Sequence, residues 1–154
     1  MSVTFIKPPK APWPVLEEGI HTLSIKEFSD IFVFNPHRRK QFDGLLDAIK
    51  SLKQAGCTNL FIDGSYVTQK PLPGDYDACW DVNNVDLDKL DSVFLTFENG
   101  RKAQKDKYEG EFFPAQGFAD HAQTVQYIHF FQREKHSGTQ KGIVLLKLDD
   151  VVDS

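Results

Sequence analysis

The stretch NLFIDGSYVTQKPLPGDYDACWD, residues 59–81, decides how the rest of the chain is read. It begins as an apolar run, Leu60-Phe61-Ile62, passes through Gly64-Ser65, turns at Pro71, Pro73 and Gly74, and returns as Asp75-Tyr76-Asp77-Ala78-Cys79-Trp80. That pattern predicts strand, loop, strand. A Gly-Ser pair leaving a buried strand can offer backbone N–H groups and a hydroxyl to an anion, because glycine lets the backbone approach closely with no Cβ in the way. Asp75 and Asp77 follow ten residues later at i, i+2 spacing. On a strand, both carboxylates leave the same face, with Cα atoms roughly 6 to 7 Å apart. Paired oxygen ligands of this kind suit a hard divalent cation.

Upstream, Asn35-Pro36 reads as an N-cap followed by proline at the first helical position. Phe42, Leu45, Leu46, Ile49 and Leu52 recur at helical spacing, and Gly56 supplies the stop. This face is expected to cover a sheet. Arg38, Arg39, Lys40, Lys50 and Lys53 are then left for a solvated surface or for contact with a triphosphate or polynucleotide. Ser24 and Glu27 form a capping box for a short helix, Ile25 to Phe32. Before it, Pro8, Pro9, Pro12 and Pro14 predict an extended arm over residues 1–15, pinned by Trp13 and Val15, with the folded domain over 16–154.

Downstream, Leu87, Leu90, Phe94 and Phe97 predict a helix from Asp86 to Phe97 that ends by Gly100. A polar, basic segment, Arg101 to Lys107, leads to a third strand between Tyr108 and Pro114. Alternation along that strand sends Glu111 and Phe113 to one face and Phe112 to the other. Asp120 to Arg133 suits a helix, Ser137-Gly138 a connection, and Lys141 to Leu148 a last strand. His121, His129 and His136 lack the spacing of a zinc site. Helices alternating with short strands make the expected fold α/β (α+β), a mixed sheet covered by helices in a single domain.

The chain's 154 residues, 40% hydrophobic and 26% charged, suit one domain with a real core. A formal charge of −4 argues against a dominant electrostatic grip on nucleic acid, though a local basic patch is compatible with it. Cys57 and Cys79 form neither a disulfide framework nor a C-x-x-C motif, which favours two core residues in a reducing interior. With no signal-peptide pattern and no apolar run long enough to span a bilayer, a cytoplasmic protein without membrane attachment is expected.

Gly64-Ser65 followed by Asp75-x-Asp77 resembles the signature of the polymerase-beta-type nucleotidyltransferase superfamily. The wording GSYVTQKPLPGDYD is similar to the GSFVTxKxxPxDxD core of a small uncharacterised family, common in phage and prophage genomes, assigned to that superfamily. LEEGIHTLSIKEF (Leu16 to Phe28) and HFFQREKHSGTQKGIVLLKL (His129 to Leu148) resemble its terminal elements. The resemblance implies a nucleotidyltransferase-like sheet, with Asp75, Asp77 and a third carboxylate, Glu111, holding Mg²⁺ or Mn²⁺. It implies that Gly64, Ser65 and Lys70 bind the nucleotide. The implied activity moves a nucleotide from an NTP to a hydroxyl on a protein or nucleic acid, in phage defence or a toxin–antitoxin pair whose partner a neighbouring gene encodes. A catalytically silent, antitoxin-like binding module and a polymerase adding nucleotides to 3′ ends are the alternatives. Tyr76 stands where the wider superfamily has an aliphatic residue, and Glu111 where it more often has Asp. Asp81 shares the strand's parity and is read as the strand end rather than a ligand.

Overall fold

The computed structural model describes residues 3–133 and 138–151. His136 and Ser137 lie outside the described residues. A short antiparallel ribbon joins β1 (Phe5–Ile6) to β2 (Val15–Leu16). The main sheet has five strands: β3 (Gly19–Thr22), β4 (Asn59–Asp63), β5 (Tyr76–Trp80), β6 (Gly110–Pro114) and β7 (Gly142–Lys147). Their order across the sheet is β3-β7-β4-β5-β6. The β3–β7 and β5–β6 pairs are parallel, while β7–β4 and β4–β5 are antiparallel. The expected mixed sheet in one domain is therefore present.

Helices α1 (Ile25–Phe32) and α2 (Pro36–Gln54) form as the sequence predicts. Ser24 and Glu27 complete the capping box of α1, and the Asn35 side chain accepts from the Arg38 N–H at the start of α2. Gly56, at φ +97°, takes the left-handed position that ends α2. Phe28, Phe32, Phe42, Leu45, Ile49 and Leu52 are buried against Leu60, Ile62, Tyr76, Ala78, Trp80 and Phe112 on one face of the sheet. Complete burial of a side chain of this size contributes about 1.5–3 kcal/mol, so this helix–sheet layer is the main source of stability. Leu46 departs from expectation: it sits one position off the buried stripe and stays 36% exposed. Cys57 and Cys79 are buried and not disulfide-bonded.

Two expected helices fail for a common reason, which is side chains capturing the backbone. The segment from Asp86 to Phe97 is not a helix; it is a series of turns with a single 3₁₀ turn at Ser92–Leu95. Asp86 Oδ1 accepts the Asp88 N–H, and Asp91 Oδ1 accepts the Val93 N–H, local bonds that compete with helix formation. Leu90 and Phe94 are still buried, but Leu87 and Phe97 face solvent. The helix lies further on, as α3 (Glu98–Tyr108). Asn99, Gly100 and Arg101 adopt left-handed conformations inside its first turn, so Gly100 opens this element rather than closing one. The predicted helix from Asp120 to Arg133 shrinks to the single turn α4 (Tyr127–Phe130), because Asp120 Oδ1 accepts the N–H groups of Thr124 and Val125 and holds a loop.

Candidate functional site

The sheet face turned away from α1 and α2 carries the acidic residues. Asp63, at the end of β4, pairs in register with Asp77 on β5, and Asp77 pairs with Glu111 on β6. Three acids thus lie in a row across three neighbouring strands. One step inward the same face carries Phe61, Cys79 and Phe113, an apolar row that excludes water from one side of the acids. Asp75, two residues before Asp77, completes the group. Carboxylate oxygens of Asp75, Asp77 and Glu111 all lie within 4.8 Å of one another.

Burial and neighbouring charge raise the carboxyls of Asp77, Glu111 and Asp63. Asp77 is pushed up to about 7, chiefly by burial, then by Asp75 and Glu111, with Lys141 and Lys105 opposing. Burial raises Glu111, and Asp75 adds to it. Asp63 has no exposed surface and lies well above the usual carboxylate range, first through burial and then through Asp77. The Cys79 thiol donates to Asp63 Oδ2 at 3.3 Å, while Asp63 Oδ1 has no hydrogen-bond partner among the described residues. Lys105 Nζ stands 3.7 Å from both Asp75 Oδ2 and Glu111 Oε1.

Gly64 lies directly against this group. Its φ is +75°, and a Cβ built there would strike the Asp77 carboxylate, coming within 3.0 Å of Cγ. The glycine is needed because the chain must turn left-handed and pass Asp77 at contact distance. Gly64→Ala is therefore expected to lower the melting temperature by several degrees and to weaken divalent-cation binding at least tenfold, as read by calorimetric titration. Unchanged cation affinity would show that Asp77 keeps its position without the glycine.

A pocket of about 410 Å³ opens beside the acids. Gly64, Ser65, Lys70, Asp75 and Asp77 line it, together with Trp13 from the arm and Phe130, Phe131, Arg133 and Lys141 from the C-terminal part. Of the residues read from sequence, Asp75, Asp77 and Glu111 come together as a cluster, and Gly64, Ser65 and Lys70 line the adjoining pocket. Asp81 lies just past β5 and accepts from Asn59 Nδ2 and Gln116 Nε2, the position of a strand end. Phe113 shares its strand face with Glu111 but is only 8% exposed, covered by Arg101 at 3.9 Å, Tyr127 at 4.8 Å and Phe131 at 4.9 Å.

The loop between Ser65 and Asp75 is fixed from α2. Asn35 Nδ2 donates to Pro71 O, Gln41 Nε2 donates to Pro73 O, and a His37 ring nitrogen lies 2.6 Å from Pro73 O. Arg38 has no exposed surface; its guanidinium donates to the carbonyls of Phe32, Tyr66, Thr68 and Lys70. The expectation that Arg38 faces solvent or a triphosphate is thus corrected. Burial lowers the Arg38 guanidinium to about 10, with Tyr66 opposing, so it is still charged at neutral pH.

The family assignment follows from the match of residues 8–147 to the DUF6932 model, described as a family of unknown function. The chain belongs to the DUF6932 family. In this DUF6932 protein the matched span runs from the arm through β7, so it includes every strand of the main sheet and each of the three clustered acids. No curated protein and no solved structure matches the chain.

Proposed function

We propose that this protein is a metal-dependent nucleotidyltransferase that moves a nucleotide from an NTP to a hydroxyl acceptor on a protein or nucleic acid. The observation that carries the reading is the convergence of Asp75, Asp77 and Glu111 within 4.8 Å at the edge of a pocket lined by the Gly64-Ser65 turn. The donor set fits a hard divalent cation such as Mg²⁺ or Mn²⁺: three carboxylates, two of them with pKa values raised first by burial and then by the charges facing them. Such a cation supplies charge neutralisation to the phosphate oxygens when bound.

The chain's own groups provide the rest. Asp75, Asp77 and Glu111 hold the cation. Gly64 and Ser65 hold the polyphosphate through backbone N–H groups and the hydroxyl, and the Lys70 ammonium adds charge to the same pocket. The acceptor oxygen forms a bond to the α-phosphorus, the bond from that phosphorus to the β-bridging oxygen breaks, and pyrophosphate leaves with the electron pair. A carboxylate of the cluster takes the hydroxyl proton.

One observation favours a second reading, a silent binding module. Lys105 Nζ lies 3.7 Å from both Asp75 and Glu111, so an internal ammonium already offsets part of the charge a metal would neutralise. Incubating the protein with each α-labelled NTP, Mg²⁺ or Mn²⁺, and either oligonucleotides or lysate proteins separates the readings. Label on an acceptor, lost with chelator, is the expected result. Stepwise extension of an oligonucleotide points instead to 3′-end polymerisation. No labelled product with any acceptor, despite bound cation, defeats the transferase and leaves the module.

A further inference from the structure

The pocket beside the acids is lined by two kinds of side chain. Ser65, Lys70 and Lys141 bring polar and cationic groups, and Trp13 and Phe130 bring aromatic rings. Phe130 is 52% exposed yet firmly backed, packing edge-on against Phe131 at 5.1 Å, which in turn packs on the buried Phe113 at 4.9 Å. Trp13 arrives from a distant part of the sequence. Its arm is tied to the loop after Ser65 by the Val15–Thr68 bridge and by the Gln69 N–H donating to Pro14 O. This places the ammonium of Lys70 4.8 Å from the centre of the Trp13 ring. A half-exposed phenyl ring and an indole on a pinned arm offer flat apolar surface at low ordering cost, where a heteroaromatic ring can stack.

Resting on the transferase reading above, we infer that Trp13 and Phe130 form the nucleobase wall of the pocket, so that the ligand is a nucleoside polyphosphate held by its ring as well as by its phosphates. The N-terminal arm is then part of the site. A pocket of about 410 Å³ is large enough for a nucleotide, falling within the range of small-ligand sites. The acids mark the phosphate end and the two rings the base end. Lys70 belongs to both: its loop carbonyl is gripped by Arg38 and its ammonium lies over Trp13, so the cation is positioned by the same ring proposed to receive the base.

Titration of the full chain with ATP, GTP, CTP and UTP, each with Mg²⁺, against inorganic tripolyphosphate with Mg²⁺ tests this. Binding is read by calorimetry and by Trp fluorescence. The only other tryptophan, Trp80, is 2% exposed in the core, so quenching by a bound base reports on Trp13. At least one NTP is expected to bind more than tenfold tighter than tripolyphosphate and to quench the signal. Phe130→Ala and Trp13→Ala should each weaken that NTP on the order of tenfold, with Trp13→Phe restoring most of the loss. Phe130→Ala should leave tripolyphosphate affinity within twofold; Phe130 is exposed enough for the variant to fold, which its melting curve checks. Equal affinity for NTP and tripolyphosphate, or an NTP preference untouched by both alanine variants, overturns the nucleobase wall while leaving the phosphate and cation site standing. Failure of every NTP and of tripolyphosphate to bind defeats the transferase reading itself, and the nucleobase wall with it.

Discussion

Asp77→Asn is expected to stabilise the metal-free protein above pH 7 while reducing nucleotide transfer at least a thousandfold. The two effects have one cause. Asp77 is raised to about 7 by burial and by the facing charges of Asp75 and Glu111, against the weaker opposing pull of Lys141 and Lys105. Folding therefore favours its protonated form. An unfolded chain releases that proton near the ordinary value of 3.8, so between these two pH values the folded state binds more protons than the unfolded one. Stability from this group is fully present below about pH 4 and is lost as the pH rises through 7. Over the whole interval the loss is on the order of 4 kcal/mol. Asparagine keeps the shape and removes the charge, so the variant should show a flatter melting profile between pH 5 and 8 and a higher midpoint at pH 8. Added Mg²⁺ or Mn²⁺ should raise the midpoint of the parent most at high pH and leave the variant nearly unmoved. A variant that melts well below the parent at pH 8 makes Asp77 a structural residue, and retained transfer removes it from the chemistry.

Some of this site was legible in sequence and some was not, for physical reasons. The spacing of Asp75 and Asp77 is local, and strand periodicity alone puts both carboxylates on one face. Glu111 is different. Its place beside Asp77 depends on the parallel register of β5 and β6, which pairs strands separated by α3 and which no local pattern encodes; the family resemblance supplied it. Asp63 does not stand out in the sequence, although its position immediately before Gly64 puts it opposite Asp77 once β4 and β5 pair. Lys105 was hidden by misplaced helix boundaries. The apolar spacing of Leu87, Leu90, Phe94 and Phe97 drew the helix too early, where Asp86 and Asp91 bind backbone N–H groups and prevent it. With the helix at Glu98–Tyr108, Lys105 falls on the turn facing the acids. Trp13 and Phe130 gave no signal, because each reaches the pocket through long-range packing.

Arg38 illustrates a signal that was present but read the wrong way. Its position continues the buried stripe of α2, with Phe42 at i+4, Leu45 at i+7, Ile49 at i+11 and Leu52 at i+14. A charged residue on the apolar stripe of a helix needs internal acceptors, and Arg38 finds four backbone carbonyls, with its guanidinium 4.3 Å from the Phe34 ring centre and 4.7 Å from that of Tyr66. Those carbonyls belong to the end of α1 and to the loop that carries Lys70 from the Gly64-Ser65 turn toward Asp75. Arg38→Met is expected to be the most destabilising single change in the protein, costing about 3–5 kcal/mol, because it leaves buried carbonyls of Tyr66 and Thr68 without donors. At this chain length that corresponds to a fall of about 10 °C or more in melting temperature. Arg38→Lys should recover little of it, since one ammonium cannot span acceptors arranged around a planar fork. Both variants should also lose nucleotide affinity in proportion to loop disorder, while the Asp75–Asp77 pair, carried at β5, keeps its cation. Urea unfolding and cation titration of the lysine variant check the two halves separately. A midpoint close to the parent's would mean that water can satisfy the carbonyls, and that the loop is held from α2 by Asn35, His37 and Gln41 without the guanidinium.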